Sequence, residues 1–587
     1  MTTTDKTDNG LPFAITLDPG TSLANQTGSW RTERPVYLDR LPPCNNACPA
    51  GENIQKWLLH AEEGDYAAAW QSLVEDNPLP AVMGRVCYHP CETACNRAQL
   101  DEPVSIHAVE RFLGDFAIEK GLVPAFDAEP GGKRVLIVGA GPSGLSAAYH
   151  LTRLGHAVTL REAGPMAGGM MRFGIPKYRL PRDVLDAEIQ RIVDMGVTLE
   201  LNTKVEDIEA AFRDDGFDAV FVAVGAHLAK RTEIPAHAAG KILDAVSVLH
   251  EMETGDGPPQ LGRRVVVYGG GNTAMDVART AKRLGVDEAT IVYRRSRKEM
   301  PAHDFEAREA EEEGVMIHWL RTIKQIDETT FTVEKMVIDE NGRPQPTGEF
   351  ETLEADTLIL ALGQDVDTSF LEAVPGVEIA RDGVVQVDTQ MMTGREGLFA
   401  GGDMVPSERT VTVAVGHGKK AARNIDAWLR GARYDKPPKH ELASFDLLNT
   451  WYYDDAPRRV QGQLDVVRRQ SGFDEVLQGF NEENALFEAR RCLSCGNCFE
   501  CDNCYGICPD NAVIKLGPGA RFRFNYDYCK GCGMCAAECP CGAIKMIPET
   551  VEIFRPAESL HRSSRRRPAP PFSGRRRETA PSGPDSR

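Results

Sequence analysis

An α/β core flanked by two cysteine-bearing ends is the architecture the sequence predicts, and three observations predict it. Two apolar strands each run into a glycine-rich turn and then a helix, at Gly139 and again at Gly269. Sixteen cysteines are divided between the ends, five from Cys44 to Cys95 and eleven from Cys492 to Cys541, with none between. At 587 residues the chain is too long for one core and divides into several domains.

Composition narrows the function classes. The hydrophobic share of 42% is ordinary for a soluble globule, and no apolar run approaches the ~20 residues that cross a bilayer. A formal charge of −19 argues against nucleic acid, whose partners are basic. The start, "MTTTDKTDNGLPFAITLDPG", lacks a basic stretch followed by an apolar core, so the expected compartment is the cytoplasm, where thiols stay reduced and free to bind metal. The Arg- and Pro-rich stretch 555–587 reads as a basic disordered tail.

The first glycine turn stands in "KRVLIVGAGPSGLSAAYHLTRLGHAVTLREA". Gly139, Gly141 and Gly144 let the backbone approach a pyrophosphate at a helix N-terminus, and Glu162, ending the second strand, suits a ribose hydroxyl. The second, "RRVVVYGGGNTAMDVARTAKRLGVDEATIVYRRSR", repeats the pattern with Gly269 and Gly271, and Asn272 and Thr273 open its helix. Its second strand ends in Arg294 and Arg295 rather than in an acid. Arginine suits a 2′-phosphate, so NADPH is the expected nucleotide, with NADH left open. Farther on, "GLFAGGDMVPSERTVTVAVGHG" sets Gly401, Gly402 and Asp403 ahead of a helix starting near Thr410.

In this order of motifs, residues 133–435 resemble the two-dinucleotide-binding, glutathione-reductase-like flavoproteins. The resemblance implies FAD on the first turn, touched by Asp403 and Thr410, and NAD(P)H on the inserted second domain. Many such proteins reduce disulfides through a CxxC beside the flavin, which this cysteine-free middle lacks. Electrons need another way out.

The C-terminal region supplies one. Cys498, Cys501, Cys504 and Cys508 form a CxxCxxCxxxCP run, and Cys529, Cys532, Cys535 and Cys539 repeat it. Paired runs look like a two-cluster ferredoxin, in which each run gives three ligands to one [4Fe–4S] cluster and its fourth to the other. Zinc would ask for four thiolates per ion without the trailing Cys-Pro. Cys541 fits neither run and reads as a small buried hydrophobe.

At the N-terminal end, amphipathic segments separate Cys44 and Cys48 from Cys87, Cys91 and Cys95. Here residues 35–435 resemble the small (β) subunit of NADPH-dependent glutamate synthase and the matching part of dihydropyrimidine dehydrogenase. The resemblance implies a helical domain with two [4Fe–4S] clusters, one held by Cys48, Cys87, Cys91 and Glu110; the alternative for Glu110 is a solvated helix glutamate. The other cluster departs from the family pattern, because the CxxC that relatives carry before Cys44 is missing. "NALFEARRCLSCG", at 484–496, looks like that segment moved along the chain, so that Cys492 and Cys495 complete a cluster with Cys44 and Cys95. The alternative is two idle thiols. The C-terminal stretch resembles the ferredoxin-like delta subunit of 2-oxoacid oxidoreductases, and the whole layout the flavoprotein of reverse dissimilatory sulfite reductase systems.

The expected domains are an extension (1–34), a helical Fe–S domain (35–130), a FAD domain in two parts (131–245 and 365–435) around an NAD(P)H domain (246–364), a linker with cluster ligands (436–495), an α+β ferredoxin-like domain (496–554) and the tail. The expected function is an NAD(P)H oxidoreductase with FAD and four [4Fe–4S] clusters, serving a redox protein partner in either direction. Alternatives are the glutamate synthase small subunit itself and a noncatalytic scaffold.

Overall fold

The computed structural model describes residues 26–550 except 130, 231, 233, 235–240, 256 and 258; the expected tail and most of the extension lie outside them. Two compact units emerge: 39–497, and 26–38 together with 498–550.

The larger unit holds two parallel five-stranded sheets. The first has the order Leu398–Ala400, Ala219–Val222, Arg134–Val138, Ala157–Arg161, Thr198–Glu200. Its central strand is buried from Val135 to Val138, as a parallel sheet covered on both faces requires. Leu398–Ala400 closes the sheet after the inserted domain, which explains why the first-domain residues come in two stretches. The second sheet runs Met316–Trp319, Glu288–Tyr293, Arg264–Tyr268, Thr357–Leu360, Lys241–Asp244. The expected boundary at 245 therefore falls one strand late: Lys241–Asp244 pairs with Thr357–Leu360. A half-exposed "KILD" carries no apolar run to announce it.

Ahead of the sheets lies a helical layer whose key members are α1 (Pro80–Val86) and α2 (Ile106–Lys120). They cross with backbones in contact: a Cβ on Gly84 would stand 2.4 Å from Arg111 N, and one on Gly114 2.3 Å from Ala81 N. The first-turn amides of α1, on Ala81 and Val82, donate to the buried Glu188 carboxylate at 3.0 Å each, which pins α1 to the first sheet's domain. Three further helices carry the site: α3 (Pro142–Arg153), α4 (Asn272–Arg283) and α5 (Val411–Leu429).

The stretch expected as a linker is a strap laid on this unit. Glu475 pairs with Arg85 at 2.8 Å and Arg111 at 2.9 Å, Val476 N donates to Tyr178 O at 2.9 Å, and Gln470 donates to Glu313 O at 2.8 Å. One segment thus grips the helical layer and both sheet domains.

In the smaller unit Glu33–Tyr37 pairs antiparallel with Ile544–Pro548, and Val513–Lys515 with Phe522–Phe524. The expected division at 34/35 is thereby corrected, since residues 33–37 form one strand of the ferredoxin-like module. Pro35 hid it, because proline inside a short run argues against a strand except at an edge. Among the described residues no helix is long and apolar enough to cross a membrane.

Candidate functional site

The strand Arg134–Val138 ends in Gly139 at φ 104°, and α3 begins three residues later. A Cβ on Gly144 would sit 1.9 Å from Gly139 O, so helix and strand approach as only glycine permits. Glu162 accepts from Ala140 N at 2.8 Å and Gly164 N at 2.9 Å, which ties the second strand's end to the first turn. These residues open onto a cavity of about 1210 Å³, whose lining includes Gly139, Gly141, Glu162, Asp403 and Thr410. Burial raises the Asp403 carboxyl to about 6. Thr410 caps α5, accepting from Val413 N at 3.2 Å, and Gly402 N donates to His417 Nδ1 at 3.2 Å, a residue sequence reading missed.

Asn272 and Thr273 line the same cavity from the second sheet's domain. Gly269 packs on Ala361, where a Cβ would stand 2.2 Å from the carbonyl, while Gly271 faces open space. Both polar atoms of the Asn272 amide are engaged within the protein: Nδ2 donates to Tyr88 Oη at 2.5 Å and Oδ1 accepts from His303 N at 3.2 Å. Arg294, exposed, and Arg295, half-buried, follow Glu288–Tyr293 and stand outside the cavity lining. Arg295 Nε is buried with no hydrogen-bond partner.

The thiols gather in four groups. Cys44, Cys95, Cys492 and Cys495 line one small cavity beneath Pro42 and Pro43. Burial and the other three thiols push Cys44 well above the ordinary thiol range. The helix Glu482–Arg490 delivers the last two, its Ala489 packed among Ile54, Trp57 and Leu58. Arg491, 2% exposed, then locks the turn through Asp101 at 3.1 Å, Glu488 at 2.9 Å and the Glu102 carbonyl at 2.7 Å.

Cys48, Cys87 and Cys91 form the second group. Cys87 ends α1, and burial with the nearby Glu110 carboxylate holds its thiol up at about 12. Glu110 is buried on α2, beside α1 because of the Gly84–Gly114 crossing; it is no solvated helix glutamate. Asn77 Nδ2 bridges it at 2.8 Å to a second buried carboxylate, Glu52, at 3.1 Å. Sequence reading missed Glu52, which burial raises to about 7.

In the smaller unit Cys508, Cys529, Cys532 and Cys535 line one cavity, and Cys539 is the electrostatic neighbour of Cys498, Cys501 and Cys504. The fourth cysteine of each run thus sits with the other run. That exchange fits two [4Fe–4S] clusters and does not fit one zinc per run. Cys541 is 2% exposed, its sulfur 3.7 Å from that of Cys539. Fifteen of the sixteen cysteines fall into the four groups.

Comparison with known proteins accords with this layout. Residues 122–418 match the family described as pyridine nucleotide-disulphide oxidoreductase, 33–122 the 4Fe-4S domain II of dihydropyrimidine dehydrogenase, and 522–545 a 4Fe-4S binding domain. The chain is 37% identical over 505 residues to the NADP(+)-dependent formate dehydrogenase subunit beta of Moorella thermoacetica, covering 77% of this chain and 70% of that protein. It is 36% identical over 513 residues to the NADPH-Fe(3+) oxidoreductase subunit beta of Geobacter sulfurreducens, covering 78% and 76%. It is 36% identical over 402 residues to the NAD-dependent dihydropyrimidine dehydrogenase subunit PreT of Escherichia coli, covering 66% and 92%. The chain belongs to the pyridine nucleotide-disulphide oxidoreductase family, as an oxidoreductase that carries 4Fe-4S domains on both sides of its FAD- and NAD(P)-binding core.

Proposed function

We propose that this chain passes electrons between NADPH and a protein partner by way of FAD and four [4Fe–4S] clusters. The observation that carries the reading is that Val86 and Tyr88, on either side of Cys87, both line the dinucleotide cavity. The thiol group nearest the cofactor cavity is thereby joined to it through the backbone of its own ligand. FAD bound there would supply the conversion that clusters need, from the electron pair of one hydride to single electrons.

Gly139, Gly141, Gly144, Glu162, Asp403 and Thr410 hold FAD in this reading. Gly269, Gly271, Thr273 and the two arginines hold NADPH, with Asn272 fixing its turn to Tyr88. Cys48, Cys87, Cys91 and Glu110 would hold the cluster that takes the first electron, and Cys44, Cys95, Cys492 and Cys495 a further cluster. Cys498, Cys501, Cys504 and Cys539 hold a third, and Cys508, Cys529, Cys532 and Cys535 a fourth. Cys501 and Cys532 are exposed, a suitable edge for exchange with another protein. The formate dehydrogenase, iron oxidoreductase and dihydropyrimidine dehydrogenase relatives are all named as subunits, which supports work inside a larger complex. A partner of the sulfite reductase or 2-oxoacid oxidoreductase type, or a ferredoxin, suits the ferredoxin-like module.

The coenzyme assignment has its own test. Replacing Arg294 and Arg295 by alanine weakens NADPH binding by roughly 1.5 to 3 kcal/mol per lost charge-assisted bond, with the exposed Arg294 at the low end because water already screens it. NADH binding barely changes. Equal losses for both coenzymes in anaerobic binding titrations remove the 2′-phosphate assignment. For the function as a whole, cluster signals that follow flavin bleaching by NADPH support the reading, and bleaching alone removes it.

A further inference from the structure

We propose that Lys419 tunes the reduction potential of the Cys48, Cys87, Cys91 and Glu110 cluster by holding a buried positive charge at that cluster's own turn. The inference rests on the cluster reading above and goes beyond it.

Helix α5 touches both redox sites. Its start lines the dinucleotide cavity through Thr410, Val411 and Ala414, and Thr412 Oγ1 donates to Met83 Sδ at 3.7 Å, on α1 one turn ahead of Cys87. Two glycines bring its backbone against a neighbour on each side. A Cβ on Gly416 would meet Pro49 O at 2.2 Å, in the turn that follows Cys48, and one on Gly418 would meet Ser143 O at 2.2 Å, on α3. No longer side chain fits at either contact, so α5 fixes the spacing between the FAD-binding helix and the Cys48 turn.

Lys419 follows these glycines and is 5% exposed. Its Nζ donates to Ala50 O at 2.8 Å and Gly51 O at 2.9 Å, and lies 2.6 Å from Asp76 Oδ1. Gly51 N donates in turn to Cys48 O at 3.0 Å, so the gripped carbonyls belong to the turn that carries Cys48. Three acceptors use all three ammonium protons. Glu52 is a charge neighbour of Lys419 and is joined through Asn77 to Glu110, and Arg423 stands 3.7 Å from Asp76.

Adding an electron makes a cluster more negative, and a buried cation stabilises that form more strongly than the oxidised one, because nearby charges act at low effective dielectric. Surroundings of this kind are among the levers that set cluster potentials. Lys419 makes no contact with the cluster position itself; it acts through the Cys48 turn and through its field, as a positioning residue. Loss of its charge lowers the potential, and loss of the Asp76 charge raises it. A clamp without electrostatic influence predicts no such opposition.

The test is a potentiometric titration of the intact, anaerobically purified protein, followed by electron paramagnetic resonance, for the unmodified chain, Lys419→Met and Asp76→Asn. In Lys419→Met the equilibrium constant for reducing one cluster falls roughly tenfold or more, which is about 59 mV for a one-electron couple. In Asp76→Asn the same midpoint rises. Iron content and the remaining midpoints stay put. Unmoved midpoints in both variants, or shifts of the same sign, overturn the inference. Should Lys419→Met fail to accumulate, Asp76→Asn decides alone, and no rise overturns it. Unmodified protein that lacks this cluster's signal and iron sinks the cluster reading instead, a result told apart by the iron assay.

Discussion

Replacing Cys492 and Cys495 together by serine removes about four iron atoms per chain, the content of one [4Fe–4S] cluster, and leaves the flavin reducible by NADPH. Both thiols lie in the small cavity with Cys44 and Cys95. Two cysteines alone cannot hold a four-iron cluster, so the loss is of the whole group rather than of a fraction. Metal–thiolate bonding also contributes folding energy, on the order of 10 kcal/mol for a structural site. The strap then loses an anchor close to Arg491, and its protease sensitivity rises. The dinucleotide cavity contains no cysteine, which is why hydride acceptance survives. Chemical iron assay, flavin bleaching and reduction of an external acceptor read the three effects separately. Unchanged iron makes the two cysteines bystanders.

Gly144→Val weakens FAD binding by roughly tenfold to a hundredfold. The added Cβ would fall 1.9 Å from Gly139 O, a backbone atom that cannot swing aside. Either α3 moves off its strand or the first turn opens, and both separate the helix N-terminus from the pyrophosphate position. Overpacking of this kind costs about 1 to 3 kcal/mol, and about 1.4 kcal/mol is already tenfold in affinity. Purified variant protein is therefore pale in the flavin bands while its cluster absorption remains, because the thiol groups are built from other segments. Full flavin occupancy contradicts the assignment of this turn.

Cofactor turns and cysteine runs were legible because their chemistry constrains spacing. Gly139, Gly144 and Gly269 are conformational necessities, and the two CxxCxxCxxxCP runs recur with one spacing. The gathering of Cys492 and Cys495 with Cys44 and Cys95 was suggested by the likeness of "NALFEARRCLSCG" to the segment missing before Cys44 and by counting ligands across the whole chain, since nothing in the sequence near Cys44 or Cys95 points to it. Glu52, Asn77, Lys419 and Arg491 were not legible. A single charged or amide residue has no period, and its burial follows from how α1, α2 and α5 pack. The strand Glu33–Tyr37 was hidden by Pro35, and Lys241–Asp244 by its polarity and exposure. Both are secured by long-range pairing, with Ile544–Pro548 and with Thr357–Leu360. Local propensity does not record such partners.

The central claim is that electron pairs taken from NADPH leave the flavin singly through the group at Cys87. Anaerobic protein mixed with NADPH and frozen at successive times tests it most directly, with flavin absorbance and the electron paramagnetic resonance of reduced clusters followed together. The account predicts that cluster signals rise as the flavin bleaches, and that Cys87→Ser retains the bleaching while cluster reduction slows sharply. A flavin that bleaches fully while every cluster stays oxidised, in protein whose iron content is complete, contradicts it.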